Sequence, residues 1–248
     1  MNSTIDTILN HRSIRKFKNE PIKQGDLNLI LEAATKGSTS SYMMAYSIIS
    51  VTDPSIKKEL AAITTQPYVE KNGHLFVFCA DLNRNSIMAT PEELNQMKDN
   101  LENTEHLLVA TIDATISAQN AVIAAESLGI GICYIGSIRN NISKVDRLLK
   151  LPKNVIPLFG LVLGYPDHHP EIKPKLPIKA LHFFDTYLDN KDIYPSIIAF
   201  DKQLNDYYSN RASNNRQDNW SNQMTRKLMS PTRMDVTQFV MSKGFRKK

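Results

Sequence analysis

Four short stretches of this 248-residue chain carry side chains able to do chemistry. His11, Arg12, Ser13 and Arg15 lie close together, and in an extended segment His11, Ser13 and Arg15 share one face. Two guanidiniums beside a hydroxyl suit a phosphate monoester, because the arginine fork matches its oxygens in pairs. A solvated basic turn is the plain alternative. Ser38, Thr39, Ser40 and Ser41 form a row of hydroxyls suited to the polar edge of a ligand. Tyr134, Ile135, Gly136 and Ser137 close an apolar run, where a small residue admits a flat ligand. Arg211 and Arg216 flank Ala212, Ser213, Asn214 and Asn215, with Trp220 close behind. Their spacing is not the three or four that makes neighbours on a helix, so a loop must fold them together for them to act as a pair.

Other chemistries are absent from the pattern. No G-x-G-x-x-G, Walker A, C-x-x-C, H-E-x-x-H or G-x-S-x-G motif occurs, and the chain has only 9 glycines. A doubly wound dinucleotide domain is therefore not expected. His168 and His169 sit in a Pro-rich loop, and no metal site is expected there. Cys79 and Cys133 each lie inside an apolar run and read as small core residues.

The elements that must position these residues follow from periodicity. Helices are expected over 3–10, 26–34, 55–63, 104–128, 201–210, 221–229 and 233–243, with a capping box at Ser143 and Asp146 opening another. Residues 84–100 are polar and carry no clear period. Four strands are expected, at 44–51, 74–80, 129–136 and 155–163, with Pro157 marking an edge, a bulge or a strand start. The helix of 104–128 is apolar on most sides and should be central. This order is α+β, α/β-like, with a central sheet covered by helices.

Composition sets the class. A hydrophobic content of 42% and a formal charge of +5 describe a soluble globular protein with room for a sizeable core. No leader peptide is apparent, and charges interrupt every apolar stretch short of a membrane span, so a cytoplasmic protein is expected. Residues 201–248 hold 10 basic and 4 acidic side chains, which concentrates the excess positive charge in the last fifth. Nucleic-acid or interaction-protein function is one reading of that bias; an anionic small molecule is another.

Taken in order, the segment at 11–15, the hydroxyl row at 38–41, Gln66 to Tyr68, the run Ala125 to Gly129, Tyr134 to Gly136, Arg139 to Asn141, Ile156 to Gly160, Lys173 to Pro177 and Tyr207 to Ser221 resemble the NADPH-dependent oxygen-insensitive nitroreductases and FMN reductases. The likeness covers essentially the whole chain. It implies a nitroreductase-like fold with a central mixed sheet flanked by helices, as a single domain over 1–248 with 165–248 as an extended arm and helical excursion. It implies a homodimer, bound FMN, diffusible NADPH, and flat electron-poor acceptors such as nitroaromatics, quinones or flavins, with neither nucleic acid nor membrane as partner. A reductase whose product is free reduced flavin is the alternative.

Carried over position by position, the resemblance assigns cofactor binding to His11, Arg12, Ser13, Ile14 and Arg15. It also assigns Thr39, Ser40 and Ser41; Gln66, Pro67 and Tyr68; and Tyr134, Ile135, Gly136 and Ser137. Lys173, Pro174 and Lys175 complete the flavin set, and Arg211 and Arg216 match positions associated with the coenzyme's 2′-phosphate. No side-chain acid or base is expected for hydride transfer, since the flavin carries that chemistry. Two departures stand out. Lys175 replaces an arginine, turning a bidentate contact into a point charge, and Ser137 replaces a glycine.

Overall fold

The computed structural model describes residues 2–211 and 214–246. They form two compact units, residues 2–170 with 233–246, and residues 171–232. The excursion expected over 165–248 thus corresponds to a unit of 171–232, while the chain's last helix packs in the first unit.

The first unit opens with α1 (Ser3–Leu9), capped by the Asn2 side chain, and α2 (Gln24–Ala34). Strand β1 (Tyr46–Val51) leads to α3 (Pro54–Thr64), where Asp53 accepts from the amides of Ser55 and Ile56 and Pro54 occupies the first turn. Strand β2 (His74–Asp81) is buried throughout. The polar stretch that showed no period holds α4 (Asn83–Ser86) and α5 (Pro91–Leu101). A reciprocal capping box between Thr90 and Glu93 starts α5. Next come α6 (Thr104–Ser127), β3 (Gly131–Ile135), α7 (Ile142–Leu149) and β4 (Val155–Gly164). The capping box expected at Ser143 does not form. Asn141 caps α7 instead, accepting from the Lys144 amide, and Ser143 lies inside the helix.

The strands pair in the order β1-β2-β4-β3, every neighbour antiparallel. The only parallel component among the described residues is the bridge from Ser13 to Ile132. Pro157 sits in central β4, and the ladder accommodates it by a register shift. Phe78 pairs with Phe159 and Cys79 with Pro157, leaving Leu158 unpaired. The Leu158 carbonyl accepts from the Arg139 guanidinium instead.

Alternation along β2 splits the core into two layers. Phe76 and Phe78 face Leu27, Ile30 and Ala34 of α2 and Ala118, Ala121, Val122 and Ala125 of α6. Leu75, Val77 and Cys79 face Leu60 of α3, Val145 of α7 and Cys133. A third cluster adds Phe239, Val240 and Phe245, the first two on α10 (Val236–Ser242). Lys243 locks that end, reaching Asp146 Oδ1 at 2.7 Å and the Leu151 carbonyl at 2.8 Å. By length and composition α6 could cross a membrane, yet one face of it is core. Leu108, Ile112 and Ile116 are exposed at four-residue spacing, so α6 is buried along a single face and not all round.

His74 opens β2, 8% exposed, with no hydrogen-bond partner for its Nε2 among the described residues and its ring edge-on to Phe76. Burial, with Lys57 nearby, pushes its pKa down from 6.5 to about 4. Between those values the unfolded chain takes up a proton that the folded chain refuses. Stability is therefore full above pH 6.5 and falls as pH drops toward 4, by about 3 kcal/mol. Denaturation midpoints from pH 7 to 4.5 should show that slope, and His74→Phe should flatten it. An equal slope in the variant would refute the assignment.

The second unit begins with extended residues 171–177 and a short turn at Ile178–Ala180, followed by α8 (Asn190–Asn210) and α9 (Trp220–Met229). Helix α8 starts well before residue 201 and carries Pro195 inside it, a residue that ordinarily interrupts a helix. Phe200, Leu204 and Tyr208, four residues apart on one face, form its core.

Candidate functional site

In the first unit three of the candidate stretches meet at β3. The Ile14 amide donates to the Ile132 carbonyl at 2.8 Å, which draws residues 11–15 alongside the strand. Gly131 permits this approach, because a Cβ there would lie 2.6 Å from Ile14 Cγ1. Ile14 and Ile135 are consequently core side chains, and only their neighbours face outward. Arg15 and the Cys133 thiol both face the Tyr68 hydroxyl, and Ser13 lies against Cys133. Burial raises the pKa of the tyrosine and of the thiol, so both stay protonated at neutral pH.

His11 Nδ1 lies 2.7 Å from Glu126 Oε1, the carboxylate at the end of α6. Arg12 donates to the carbonyls of Asn10 and Pro170 and lines a cavity of about 370 Å³ with Asp6, Glu126, Gly131 and His169. Tyr134 donates to Gln119 Oε1 at 3.3 Å and stands edge-on to Phe159. Burial, with Glu126 adding to it, pushes the Tyr134 hydroxyl up to about 12. Pro67 and Tyr68 form a one-turn helix that follows the left-handed Thr65. Gln66 Oε1 and Ser137 Oγ are buried without a hydrogen-bond partner among the described residues. Such atoms are costly unless a ligand pairs them.

The hydroxyl row is held by a residue the sequence reading passed over. Ser41, Tyr42 and Met44 all have left-handed backbone, with φ of 48°, 60° and 47°. Asp113, 1% exposed on α6, spans this loop. One carboxylate oxygen accepts from the Ser40 amide and the other from the Ala45 amide, each at 3.0 Å. From the opposite side Arg84 donates to the carbonyls of Met44 and Tyr46, and Asn85 to that of Met43. Donors and acceptors of the loop backbone are thus both engaged, which keeps Ser41, Tyr42 and Met44 in a conformation few L-residues adopt unaided. The available signal was Asp113 itself, the only charged residue between Leu107 and Ala125.

In the second unit Lys173, Pro174 and Lys175 lie in the extended opening segment. Lys173 Nζ lies 5.2 Å from the centroid of the Tyr208 ring. Arg211 and Arg216 come to the same ring, at 4.8 and 4.2 Å. Arg211 also donates twice to the Asn214 carbonyl, closing its own loop; Ala212 and Ser213 lie outside the described residues. Arg216 donates to Gln223 Oε1 at 3.0 Å and lies 3.5 Å from Asp218. Asp218 is held by Arg226 at 2.8 Å. The two arginines anticipated as a pair share one aromatic platform, and Tyr208, Gln223 and Asp218 are the partners that sequence spacing did not single out. Among the described residues no cluster of three metal-ligating side chains occurs.

Family models agree with this layout. Residues 8–165 match the nitroreductase family and 173–248 the nitroreductase family C-terminal domain. The chain is 46% identical over 249 residues to an FMN reductase (NADPH) of Bacillus subtilis, covering 100% of each. It is 39% identical to an oxygen-insensitive NADPH nitroreductase of Salmonella typhimurium, covering 99% of each. Among solved structures, a B. subtilis nitroreductase superposes with a TM-score of 0.94 at 45% identity, over 99% of this chain and 100% of that one. The NADPH:FMN oxidoreductase of Vibrio harveyi, complexed with NAD+, gives 0.87 at 38% identity with full coverage of both.

Proposed function

The chain belongs to the nitroreductase family, and on that premise we propose that it is an FMN-dependent oxidoreductase that draws electrons from NADPH. Its acceptors are flat electron-poor molecules: nitroaromatics, quinones or flavins. The observation that carries the reading is the junction in the first unit where Ser13, Arg15, Tyr68 and Cys133 converge. Gln66 Oε1 and Ser137 Oγ, each within a few residues of that junction in sequence, are buried with no hydrogen-bond partner among the described residues. That donor and acceptor set fits the polar edge of a flavin, and the basic segment at 12–15 fits its phosphate.

FMN, when bound, supplies the hydride chemistry. The residues' own tasks are binding and orientation. Arg12 and Arg15 meet phosphate oxygens, and His11 is steadied by Glu126. Thr39, Ser40 and Ser41 present hydroxyls and amides from a loop made rigid by Asp113. Tyr68 and Tyr134, whose hydroxyls ionise only well above neutral pH, offer neutral hydroxyls. No side-chain acid or base is assigned. Arg211 and Arg216 receive the 2′-phosphate that distinguishes NADPH from NADH.

We assign a homodimer on the exposed apolar stripe of Leu108, Ile112 and Ile116, supported by Ile5, Ile8 and Leu9 of α1. The cytoplasm supplies NADPH and keeps Cys79 and Cys133 reduced, in keeping with two free buried thiols. A second reading, release of free reduced flavin as the true product, draws on the relative named FMN reductase (NADPH). The purified protein should be yellow and scatter light as twice 28.1 kDa. It should oxidise NADPH with a quinone or nitrofurazone as acceptor. Rates with free FMN separate the two readings. Colourless monomer that takes up no added FMN would overturn the proposal.

A further inference from the structure

We propose that Tyr208 is the positioning residue of the coenzyme phosphate site, its buried ring holding the Arg211 and Arg216 guanidiniums where one phosphate meets both. The inference rests on the reading that these two arginines receive NADPH. Tyr208 is 2% exposed and belongs to the core face of α8 with Phe200 and Leu204. An aliphatic side chain would fill that space equally well. What the ring adds is a negative π-face, which attracts guanidinium. Three cations use it: Arg216 at 4.2 Å, Arg211 at 4.8 Å and Lys173 at 5.2 Å.

The arrangement is tied down on every side. The Arg216 amide donates to the Tyr208 carbonyl at 3.1 Å, closing the loop back onto the helix. Tyr208 Oη donates to Gln223 Oε1 at 3.2 Å, the same oxygen that accepts from Arg216. Like charges gathered on one ring repel one another, and the described residues do little to neutralise them. Neither Lys173 nor Arg211 forms an ion pair with a carboxylate among the described residues. Asp218 lies 3.5 Å from Arg216 but only 2.8 Å from Arg226. Positive charge is therefore concentrated and oriented in advance, and a dianionic phosphate gains what Asp218 supplies only in part.

The test compares Y208F, which keeps the ring, with Y208L, which keeps only the packing, in the holoenzyme. Y208L is expected to raise KM for NADPH about tenfold, the equivalent of about 1.4 kcal/mol, with KM for NADH unchanged. Binding of 2′-AMP, measured by calorimetry, should weaken in parallel while 5′-AMP binding does not. Y208F should stay within about twofold of the parent, since the cation–π attraction survives. Should Y208L fold poorly, Y208M makes the same comparison. A proportional rise in both coenzymes' KM would reduce Tyr208 to a packing residue and overturn the inference. So would an unchanged NADPH-to-NADH ratio. If Arg216→Ala alters that ratio and Y208L does not, this inference falls alone; if Arg216→Ala also leaves it unaltered, the reading beneath it falls.

Discussion

Asp113→Ala is expected to cost about 3 kcal/mol or more of stability and to weaken FMN binding severely. The loss combines two hydrogen bonds to a charged group, each worth about 1.5–3 kcal/mol. Both acceptors belong to one buried carboxylate, and the Ala45 amide it serves is buried as well. Without it only the Arg84 and Asn85 contacts to the loop carbonyls still oppose relaxation of Ser41, Tyr42 and Met44 from left-handed backbone, which L side chains disfavour. Asp113→Asn separates the contributions. Its single oxygen still accepts from one amide, and its NH2 meets the other donor, so roughly half the stability loss should remain. Urea denaturation gives the stability, and titration of FMN into apo-protein at a temperature where all variants are folded gives the affinity. A variant that loses stability but binds FMN as tightly as the parent would show that Asp113 supports the core alone.

Arg216→Ala is expected to raise KM for NADPH at least about tenfold, about 1.4 kcal/mol, with KM for NADH and the content of bound FMN unaltered. The 2′-phosphate carries charge that NADH lacks, and Arg216 already sits oriented between Tyr208, Gln223 and Asp218. Arg211→Ala should have a smaller effect of the same kind. Its guanidinium is partly spent on the Asn214 carbonyl, so its loss acts in part through the loop that carries Arg216. Steady-state kinetics with both coenzymes decide the matter. Equal damage to NADPH and NADH use would mean that the arginines hold the fold, and an unchanged preference in both variants would remove them from coenzyme recognition.

Local physics made much of this molecule legible in the residues alone. Apolar runs of strand length became β2, β3 and β4, because a strand inside a covered sheet needs such a run, and the mixed run expected at 44–51 became the edge strand β1. The helix expected over 55–63 became α3, which Asp53 caps and Pro54 opens, since a cap and a first-turn proline act within one turn of chain. Clustered charge marked residues 11–15 and 211–216 as candidates for anion binding, the reading proposed above. Where two local signals competed, the sequence alone could not arbitrate. Ser143 with Asp146 matched a capping box, yet Asn141 caps α7, because the packing of Ile142 and Val145 against the core sets where the helix starts.

What only the tertiary structure decided are relations between residues distant in sequence. Asp113 looks like an anomaly in an apolar helix until α6 brings it under a loop some seventy residues earlier in the chain. Burial of one face of α6, with Leu108, Ile112 and Ile116 left outside, depends on where α2 and the sheet lie. An apolar composition alone does not say which side is covered. Tyr208 is one tyrosine among 9 until its ring is seen beneath three cations. The division has one physical origin. Propensity, capping and burial pattern act over a few residues and are written where they act. A hydrogen bond or a cation over a ring needs its two partners within a few ångströms, a distance set by how every intervening element packs.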